Sequence, residues 1–245
     1  MVTVDTLFDL LDASSRMVGF TGAGISTESG VPDFRTPGSP WMQNKPIPFQ
    51  AFVESREARI EAWRRKFTMD DHYRGAQPSR GHRAFARLVQ QRRMAAIITQ
   101  NIDGLHQASG VPPDQVVELH GNGTYAACLA CGLRHELDAI RPDFEATGAP
   151  PSCRDCGQPV KSATISFGQA MPQDQMRAAQ ALVSDCDLML VAGSSLVVFP
   201  AATLPVMARR AGARLVIINR EPTEIDPLAD LVLRAEIGDV LDRLA

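Results

Sequence analysis

Five short apolar runs alternate with helical patterns along the chain, and this alternation constrains the fold more than any other feature. The runs are rich in β-branched residues: "RMVGFTG", "MAAIITQN", "DLMLVAGSS", "RLVIINRE" and, more weakly, "DLVLRAE". Helical stretches such as "SRGHRAFARLVQQRR" and "PAATLPVMARRAG" lie between them. Strands that are apolar on both faces and alternate with helices form parallel sheets covered on both sides. The sequence therefore predicts an α/β fold with a doubly wound, Rossmann-like parallel sheet.

Two segments interrupt this alternation. Residues 36–78 open with the proline-rich "TPGSPWMQNKPIPF" and continue into a helix around "SREARIEAWRRKF", and residues 125–162 contain four of the five cysteines. We expect both to be insertions that pack together into a smaller domain beside the sheet. The sheet domain is then discontinuous and comprises residues 1–35, 79–124 and 163–245.

The four cysteines form two C-x-x-C pairs, Cys128/Cys131 and Cys153/Cys156, with residues 132–152 between them. Two such turns can supply a closed tetrahedral zinc site of four thiolates. Disulfides are disfavoured in a reducing cytosol, and a redox C-x-x-C motif would not need a second pair. Because a closed shell leaves no position for substrate, this zinc is expected to stabilise the fold. Cys186 is expected to be an ordinary core residue.

Composition and charge limit the partners. The 245-residue chain has 44% hydrophobic and 22% charged residues, a formal net charge of -3 and a pI near 6.0. This balance provides no basic field for nucleic acid, and no apolar run approaches the roughly 18 residues of a membrane span. The segment before Arg16 contains no Lys or Arg, so neither a secretory signal nor a transit peptide is expected. We expect a cytoplasmic monomer.

Polar residues follow four of the predicted strands, in "TGAGIS", "TQNIDGLHQ", "GSSLVV" and "NREPT". Ligands of such sheets bind outside the carboxyl ends of the strands, and glycines there let the backbone approach a pyrophosphate. The usual G-x-G-x-x-G pattern is incomplete, because Thr27 occupies the third glycine position. Each residue could instead be a helix cap or a turn residue. The candidate ligand-binding residues in these loops are Gly22, Gly24, Ser194, Ser195, Asn219 and Glu221.

In order along the chain, "GAGIS", "GVPDFR", "TQNIDGLH", "LHG", the two C-x-x-C pairs, "FG", "GSSLVVFPAA" and "INRE" resemble the sirtuins. The resemblance extends from about residue 16 to residue 241. Sirtuins are NAD-dependent protein-lysine deacylases, so the resemblance implies that NAD is consumed as a substrate. The other substrate would be an acyl-lysine peptide or protein, and the products nicotinamide, free lysine and O-acyl-ADP-ribose.

The resemblance also implies roles for individual residues. His120 would be the base that activates the ribose hydroxyls, although a single His after an apolar strand is more often structural; its reference pKa near 6.5 suits a neutral acceptor. Asn101 and Asp103 would complete the catalytic set. Further contacts to the nicotinamide and its ribose are implied at Gln100, Asn101, Ile102 and Asp103. Phe34 would cover the reactive C1′, Arg35 would lie in the closing loop, and the backbone of Ile237 would meet the adenine. The residues implied at the phosphates and ribose are Gly22, Ala23, Gly24, Ser26, Gly193, Ser194 and Ser195.

The implied peptide site lies between "SFGQ" and "SLVVF", where the peptide would pair as an added strand. Its residues would be Phe167, Gly168, Gln169, Leu196, Val197 and Val198. Gln169 departs from the usual F-G-E of the family. Members that remove succinyl groups carry a Tyr-x-x-Arg pair, whereas the nearest match here is Trp63 and Lys66, which predicts a preference for neutral acyl groups.

Two other classes of function remain open from the sequence. The chain could be a zinc-stabilised module that binds NAD or ADP-ribose without reaction. It could also be an NAD glycohydrolase or an ADP-ribosyltransferase on the same scaffold. The presence of His120, Asn101 and Asp103 together favours the deacylase.

Overall fold

The computed structural model describes residues 4–33, 38–40 and 46–244 of the chain. In chain order, the main elements are α1 (Val4–Ala13), β1 (Met17–Thr21), a 3₁₀ helix (Ala23–Ser29), α2 (Phe49–Glu54), α3 (Arg56–His72), α4 (Arg80–Gln90), β2 (Met94–Thr99), α5 (Leu105–Ala108), β3 (Val116–Glu118), β4 (Gly121–Cys128), β5 (Arg134–Glu136), α6 (Leu137–Thr147), β6 (Val160–Thr164), α7 (Gln173–Asp185), β7 (Leu188–Ala192), α8 (Thr203–Arg210), β8 (Arg214–Ile218), β9 (Leu231–Leu233) and α9 (Ile237–Leu241).

The larger sheet has the strand order β3-β2-β1-β7-β8-β9, with all pairs parallel. Its strands include all five that the apolar runs predict. The sixth, β3, has only three residues and is the apolar strand expected before His120. The doubly wound α/β prediction is confirmed.

Helices cover both faces of this sheet. On one face Leu11 of α1, Phe85 of α4 and Val240 of α9 belong to one buried apolar cluster. On the other, Val183 of α7 and Leu204 of α8 belong to a second cluster. Cys186 is buried in that second cluster, as expected of a core residue. Burial on both faces explains why the strands lack the alternating polar positions of a half-exposed sheet.

A smaller module stands beside the sheet, as predicted. Its antiparallel sheet has the order β5-β4-β6, and α3 and α6 pack against it. Its core contains Trp63 and Phe67 of α3 and Phe144 of α6, and the Trp63 indole N–H donates to the Val160 carbonyl at 3.2 Å. The two insertions therefore share one core. The boundaries predicted at residues 125 and 162 fall inside β4 and β6, because strand pairing extends beyond the cysteine knuckles.

Among the described residues, no helix is both long and apolar enough to cross a lipid bilayer.

Candidate functional site

The candidate site lies at the carboxyl ends of the parallel strands, where the chain changes sides of the sheet. β1 pairs with β2 on one edge and with β7 on the other, so the loops after these three strands converge. The N–H of Gly24 donates to the carbonyl of Gly193 at 2.8 Å. A Cβ on Gly24 would lie 2.7 Å from the Cα of Gly193, so the two loops touch backbone to backbone.

The position of Thr27 explains why the usual third glycine is missing. The glycine loop leads into a 3₁₀ helix, Ala23–Ser29, and the Thr27 hydroxyl donates to the Gly24 carbonyl at 3.0 Å. In a dinucleotide-binding loop the third glycine lets an α-helix pack closely on the strand. Here no α-helix follows directly, so a side chain with a hydroxyl is accommodated.

Asn101, Ser26 and Asp103 form one hydrogen-bonded cluster behind this loop. The Asn101 amide nitrogen donates to the Gly22 carbonyl and to the Ser26 hydroxyl, both at 3.1 Å. The Ser26 hydroxyl in turn donates to Asp103 Oδ2 at 2.7 Å, while Asp103 Oδ1 accepts from the N–H of Leu105 at 2.9 Å. Both carboxylate oxygens are therefore held by donors, and the loops after β1 and β2 are cross-linked.

His120 lies in the turn after β3 and is fixed by a backbone group. Its Nδ1 is 3.0 Å from the carbonyl oxygen of Gln100. Since a carbonyl oxygen can only accept, the neutral ring carries its proton on Nδ1 and leaves the Nε2 lone pair available. Burial lowers the pKa of His120 below its ordinary value, and the bond to Gln100 opposes part of that effect. The ring is therefore neutral at physiological pH and Nε2 can accept a proton.

Gln100 connects His120 to the loop after β7. Its side-chain amide nitrogen donates to the Ser194 hydroxyl at 2.7 Å, and its N–H donates to the Thr21 carbonyl at 3.0 Å. The Ser194 hydroxyl also accepts from the N–H of Leu196 at 3.2 Å. Three of the four predicted loops are thus joined by direct hydrogen bonds.

A buried polar network beneath the site was not predicted. The Thr21 hydroxyl bonds to the Thr99 hydroxyl and to His106 Nε2, both at 2.8 Å. The rings of His82 and His106 meet edge to face at 4.8 Å, and His82 Nε2 lies 3.5 Å from the Ser26 hydroxyl. Burial lowers the pKa of His82 to about 4 and that of His106 well below its ordinary value, so both rings are neutral. The sequence signal for these two buried histidines was their position among the apolar residues of α4 and α5.

A cavity of about 260 Å³ opens beside this cluster. Ile102 and Asp103 line one side, and Asp70 and Tyr73 line the other, at the end of α3 and the turn after it. The carboxylate and the backbone of this loop offer hydrogen-bond acceptors next to apolar surface. A ligand group with N–H donors could therefore bind there.

The remaining predicted cofactor residues lie further out. Asn219 follows β8, and its side-chain amide donates to the backbone carbonyl of Glu221, whose side chain is exposed. Ile237 begins α9 with its side chain in the core, so only its backbone could face a ligand. Ser195 is partly exposed beside Ser194.

The predictions for Phe34 and Arg35 fall outside the described residues.

Leu196, a predicted peptide contact, has a buried side chain. It adopts a positive φ of 56° and turns its side chain into the core, where it is 5% exposed. Only its backbone could pair with a peptide. In contrast, the side chains of Phe167, Val197 and Val198 are exposed.

The expectation that Trp63 lies at the acyl pocket is wrong. Trp63 is 1% exposed and packs in the core of the small module. Lys66, one turn later on α3, is mostly buried and paired with Asp70. A lysine already neutralised by an acid offers no free cation to an acyl carboxylate. The expected preference for neutral acyl groups therefore keeps its basis in Lys66 alone.

The four cysteines converge as the spacing predicts. Their sulfurs all lie within 4.8 Å of one another, with Cys128–Cys156 and Cys131–Cys153 separations of 3.4 and 3.6 Å. Tetrahedral zinc with bonds of about 2.3 Å requires sulfurs about 3.8 Å apart, whereas a disulfide requires about 2 Å. The N–H groups of Ala130 and Cys131 point at the Cys128 sulfur, as suits a thiolate. The donor set fits a structural zinc ion.

Comparison with known proteins decides the family. The model of the Sir2 family matches residues 22–200. An NAD-dependent protein deacetylase of Rhodopseudomonas palustris is 58% identical over 97% of this chain and 94% of its own length. The chain belongs to the Sir2 family. An NAD-dependent protein deacetylase of Bradyrhizobium diazoefficiens is 57% identical to this Sir2 chain over 97% of it and 93% of the relative.

Solved Sir2 structures extend the likeness to three dimensions. One, described as Sir2 bound to acetylated peptide, covers 99% of this Sir2 chain with 97% of its own, at 35% identity and a TM-score of 0.88. Another, described as Sir2 with a peptide and NAD+, has the same coverage at 36% identity and a TM-score of 0.87. The sirtuin resemblance is thereby confirmed.

Proposed function

We propose that this chain is an NAD-dependent protein-lysine deacylase whose general base is His120. The observation that carries the proposal is the bond from His120 Nδ1 to the Gln100 carbonyl, which leaves Nε2 as a fixed acceptor beside the loops that line the crevice. Membership of the Sir2 family and the deacetylase relatives support the activity. Bound NAD would supply an electrophilic ribose carbon and nicotinamide as the leaving group.

The protein's contribution is to position groups and to accept one proton. His120 Nε2 would accept the proton of a ribose hydroxyl, so that the acyl group passes from lysine to ADP-ribose. Gln100 and Asn101 would orient the nicotinamide ribose, and Ile102 with Asp103 would bind the carboxamide in the adjoining cavity. Because Asp103 and Asn101 are already held by neighbouring donors and acceptors, little reorganisation is needed on binding.

The glycine loop would hold the phosphates. The contact between Gly24 and Gly193 leaves no room for a β-carbon, so the backbone forms the floor of the crevice. Ala23, Ser26, Ser194 and Ser195 would line the phosphates and riboses. Phe34 and Arg35 remain proposed contacts to the reactive carbon and in the closing loop. Gly22, Asn219, Glu221 and the Ile237 backbone complete the proposed contacts.

NAD would be bound by the sheet domain, which comprises residues 1–35, 79–124 and 163–245. Residues 36–78 would supply the cofactor-binding loop and a helix, and residues 125–162 would bind the zinc ion. The acyl-lysine substrate would enter along Phe167, Gly168 and Gln169 on one side and Leu196, Val197 and Val198 on the other.

We further propose that the protein works in the cytoplasm as a monomer, without nucleic acid or membrane partners. Its net charge of -3 supports the absence of a nucleic-acid partner.

The test is to incubate the purified protein with NAD and a panel of acyl-lysine peptides and to analyse the products by mass spectrometry. A deacylase gives nicotinamide, free lysine peptide and O-acyl-ADP-ribose in equal amounts. Nicotinamide with free ADP-ribose and an unchanged peptide would instead identify a glycohydrolase. Binding of NAD without any release of nicotinamide would identify a binding module.

A further inference from the structure

Helix α4 begins with a capping box whose N3 residue is a histidine. In the usual capping box, Ser or Thr at the N-cap is followed three residues later by Glu or Gln, whose side chain accepts from the N-cap N–H. Here the Ser79 hydroxyl accepts from the N–H of His82 at 3.2 Å, and His82 Nδ1 accepts from the N–H of Ser79 at 3.2 Å. The cap of a helix therefore engages one ring nitrogen of a buried histidine.

This cap decides which nitrogen of His82 carries the proton. Burial lowers the pKa of His82 to about 4, so the ring is neutral at physiological pH and holds one proton. The Ser79 hydroxyl also lies 2.8 Å from Nδ1, and it donates to the Ile25 carbonyl at 2.8 Å. A proton on Nδ1 would leave the buried N–H of Ser79 pointing at another N–H, so the proton lies on Nε2.

The Nε2–H of His82 faces the Ser26 hydroxyl. Nε2 and Ser26 Oγ are 3.5 Å apart, the long end of the hydrogen-bond range, and both side chains are fully buried. A serine hydroxyl has one proton and two lone pairs to place. The Asn101 amide donates to one lone pair at 3.1 Å, which leaves the other to His82. The hydroxyl proton then goes to Asp103 Oδ2, at 2.7 Å.

The other tautomer of His82 would disturb this arrangement. An unprotonated Nε2 would compete with Asp103 for the proton of Ser26. Asp103 would then keep the N–H of Leu105 as its donor on Oδ1 and lose the donor on Oδ2. Asp103 lines the cavity of about 260 Å³, so the tautomer of a buried histidine bears on the direction of a carboxylate at the site.

We propose that His82 is a positioning residue for NAD: held by the cap of α4 with its proton on Nε2, it directs the Ser26 hydroxyl to Asp103. It thereby fixes the carboxylate that would meet the nicotinamide carboxamide. This inference rests on the proposed function. Because the His82 side chain is 0% exposed, it acts through Ser26 and does not itself reach a ligand.

The tautomer can be measured on the wild-type protein without any ligand. The chain has five histidines, and nitrogen NMR of isotope-labelled histidine distinguishes ring nitrogens with and without a proton. The His82→Gln variant identifies the His82 signals by their loss. At neutral pH we expect a neutral His82 with its proton on Nε2 and a neutral His120 with its proton on Nδ1. A proton on Nδ1 of His82, or a charged ring, would overturn the inference.

Two substitutions then test the positioning role by calorimetric titration with NAD. Gln at N3 can accept the N–H of Ser79 and present an amide N–H to Ser26, so His82→Gln should bind NAD within about threefold of the wild type. His82→Leu fills much of the space but offers neither group, and it should raise the Kd for NAD about tenfold. The KM for an acetyl-lysine peptide should stay within about twofold of the wild type in both, since the altered contacts lie at the cofactor.

Val183→Ala on α7 is the control for lost stability. Val183 is buried in the cluster on the opposite face of the sheet from α4. Its truncation should lower the midpoint of thermal unfolding by several degrees, as His82→Leu should, but leave the Kd for NAD unchanged.

Wild-type NAD affinity in His82→Leu would overturn the inference, and so would a His82→Gln variant that binds NAD as weakly as His82→Leu. An equal loss of affinity in Val183→Ala would show that the effect follows stability and would also refute it. If the wild type releases no nicotinamide from NAD with an acetyl-lysine peptide, the proposed function fails and this inference fails with it. The wrong tautomer of His82 would refute this inference alone.

Discussion

Replacement of Gly193 by alanine tests whether contact between two backbone loops builds the crevice. Gly193 has a φ of 67°, and an added Cβ would lie 2.4 Å from the backbone nitrogen of Ile25. The left-handed conformation costs a non-glycine residue roughly 1–2 kcal/mol. Relief of the overlap, which requires the loops to separate, costs a further 1–3 kcal/mol or so. We therefore expect Gly193→Ala to lower the free energy of unfolding by about 2–5 kcal/mol.

Gly148→Ala is the matched control, because Gly148 has a φ of 64° but no atom within 4 Å of the added Cβ. Its cost should be the backbone contribution alone, about 1–2 kcal/mol. Thermal unfolding should place the midpoint of Gly193→Ala roughly 4–20 °C below the wild type and below the control. Calorimetric titration should show NAD binding weakened about tenfold or more only in Gly193→Ala. Equal losses of stability and unchanged NAD affinity in both variants would refute the reasoning.

Three further predictions follow from the zinc site, the base and the acyl pocket. Elemental analysis should find about one zinc per chain. Cys153→Ala should lose the zinc and unfold at a much lower temperature, since the binding energy of a closed thiolate site contributes to folding. Zinc-free wild-type protein of full stability would contradict this. The kcat/KM for deacylation should fall as the pH drops through the pKa of His120, with a midpoint below 6.5, because burial favours the neutral ring; a midpoint above 7 would contradict the assignment. Among acetyl-, butyryl-, myristoyl- and succinyl-lysine in one peptide, succinyl should not be the best substrate, because Lys66 is paired with Asp70; a preference for succinyl would show that another basic residue lines the pocket.

The sequence predicts the parallel sheet well because its central strands are apolar on both faces, as in "DLMLVAGSS". It does not reveal the pairing of β4 with β5 and β6. Those strands are short or depend on partners far along the chain, as in the pairing of Cys128 with Val160. Periodicity reports local burial, and it carries no information on which distant segment supplies the hydrogen bonds.

The candidate site was predictable where the topology of the fold fixes position. Loops after parallel strands meet at one edge, so residues such as Ser26, Asn101 and Ser194 could be placed together before the structure. The roles of His82 and His106 could not be predicted, because a buried histidine is recognised only by its neighbours. For a similar reason the sequence does not show that Leu196 adopts a positive φ and turns its side chain into the core.

The most direct test of the account is the rate of O-acyl-ADP-ribose formation by His120→Ala at saturating NAD and acetyl-lysine peptide. His120 is partly buried, and among the described residues its side chain bonds to the Gln100 carbonyl, so the fold should survive the substitution. We predict a rate roughly 10²–10⁴-fold below the wild type, the usual contribution of a positioned general base, with NAD affinity within a few-fold of the wild type. A folded variant that forms the product at near wild-type rate would contradict the assignment of His120 as the base.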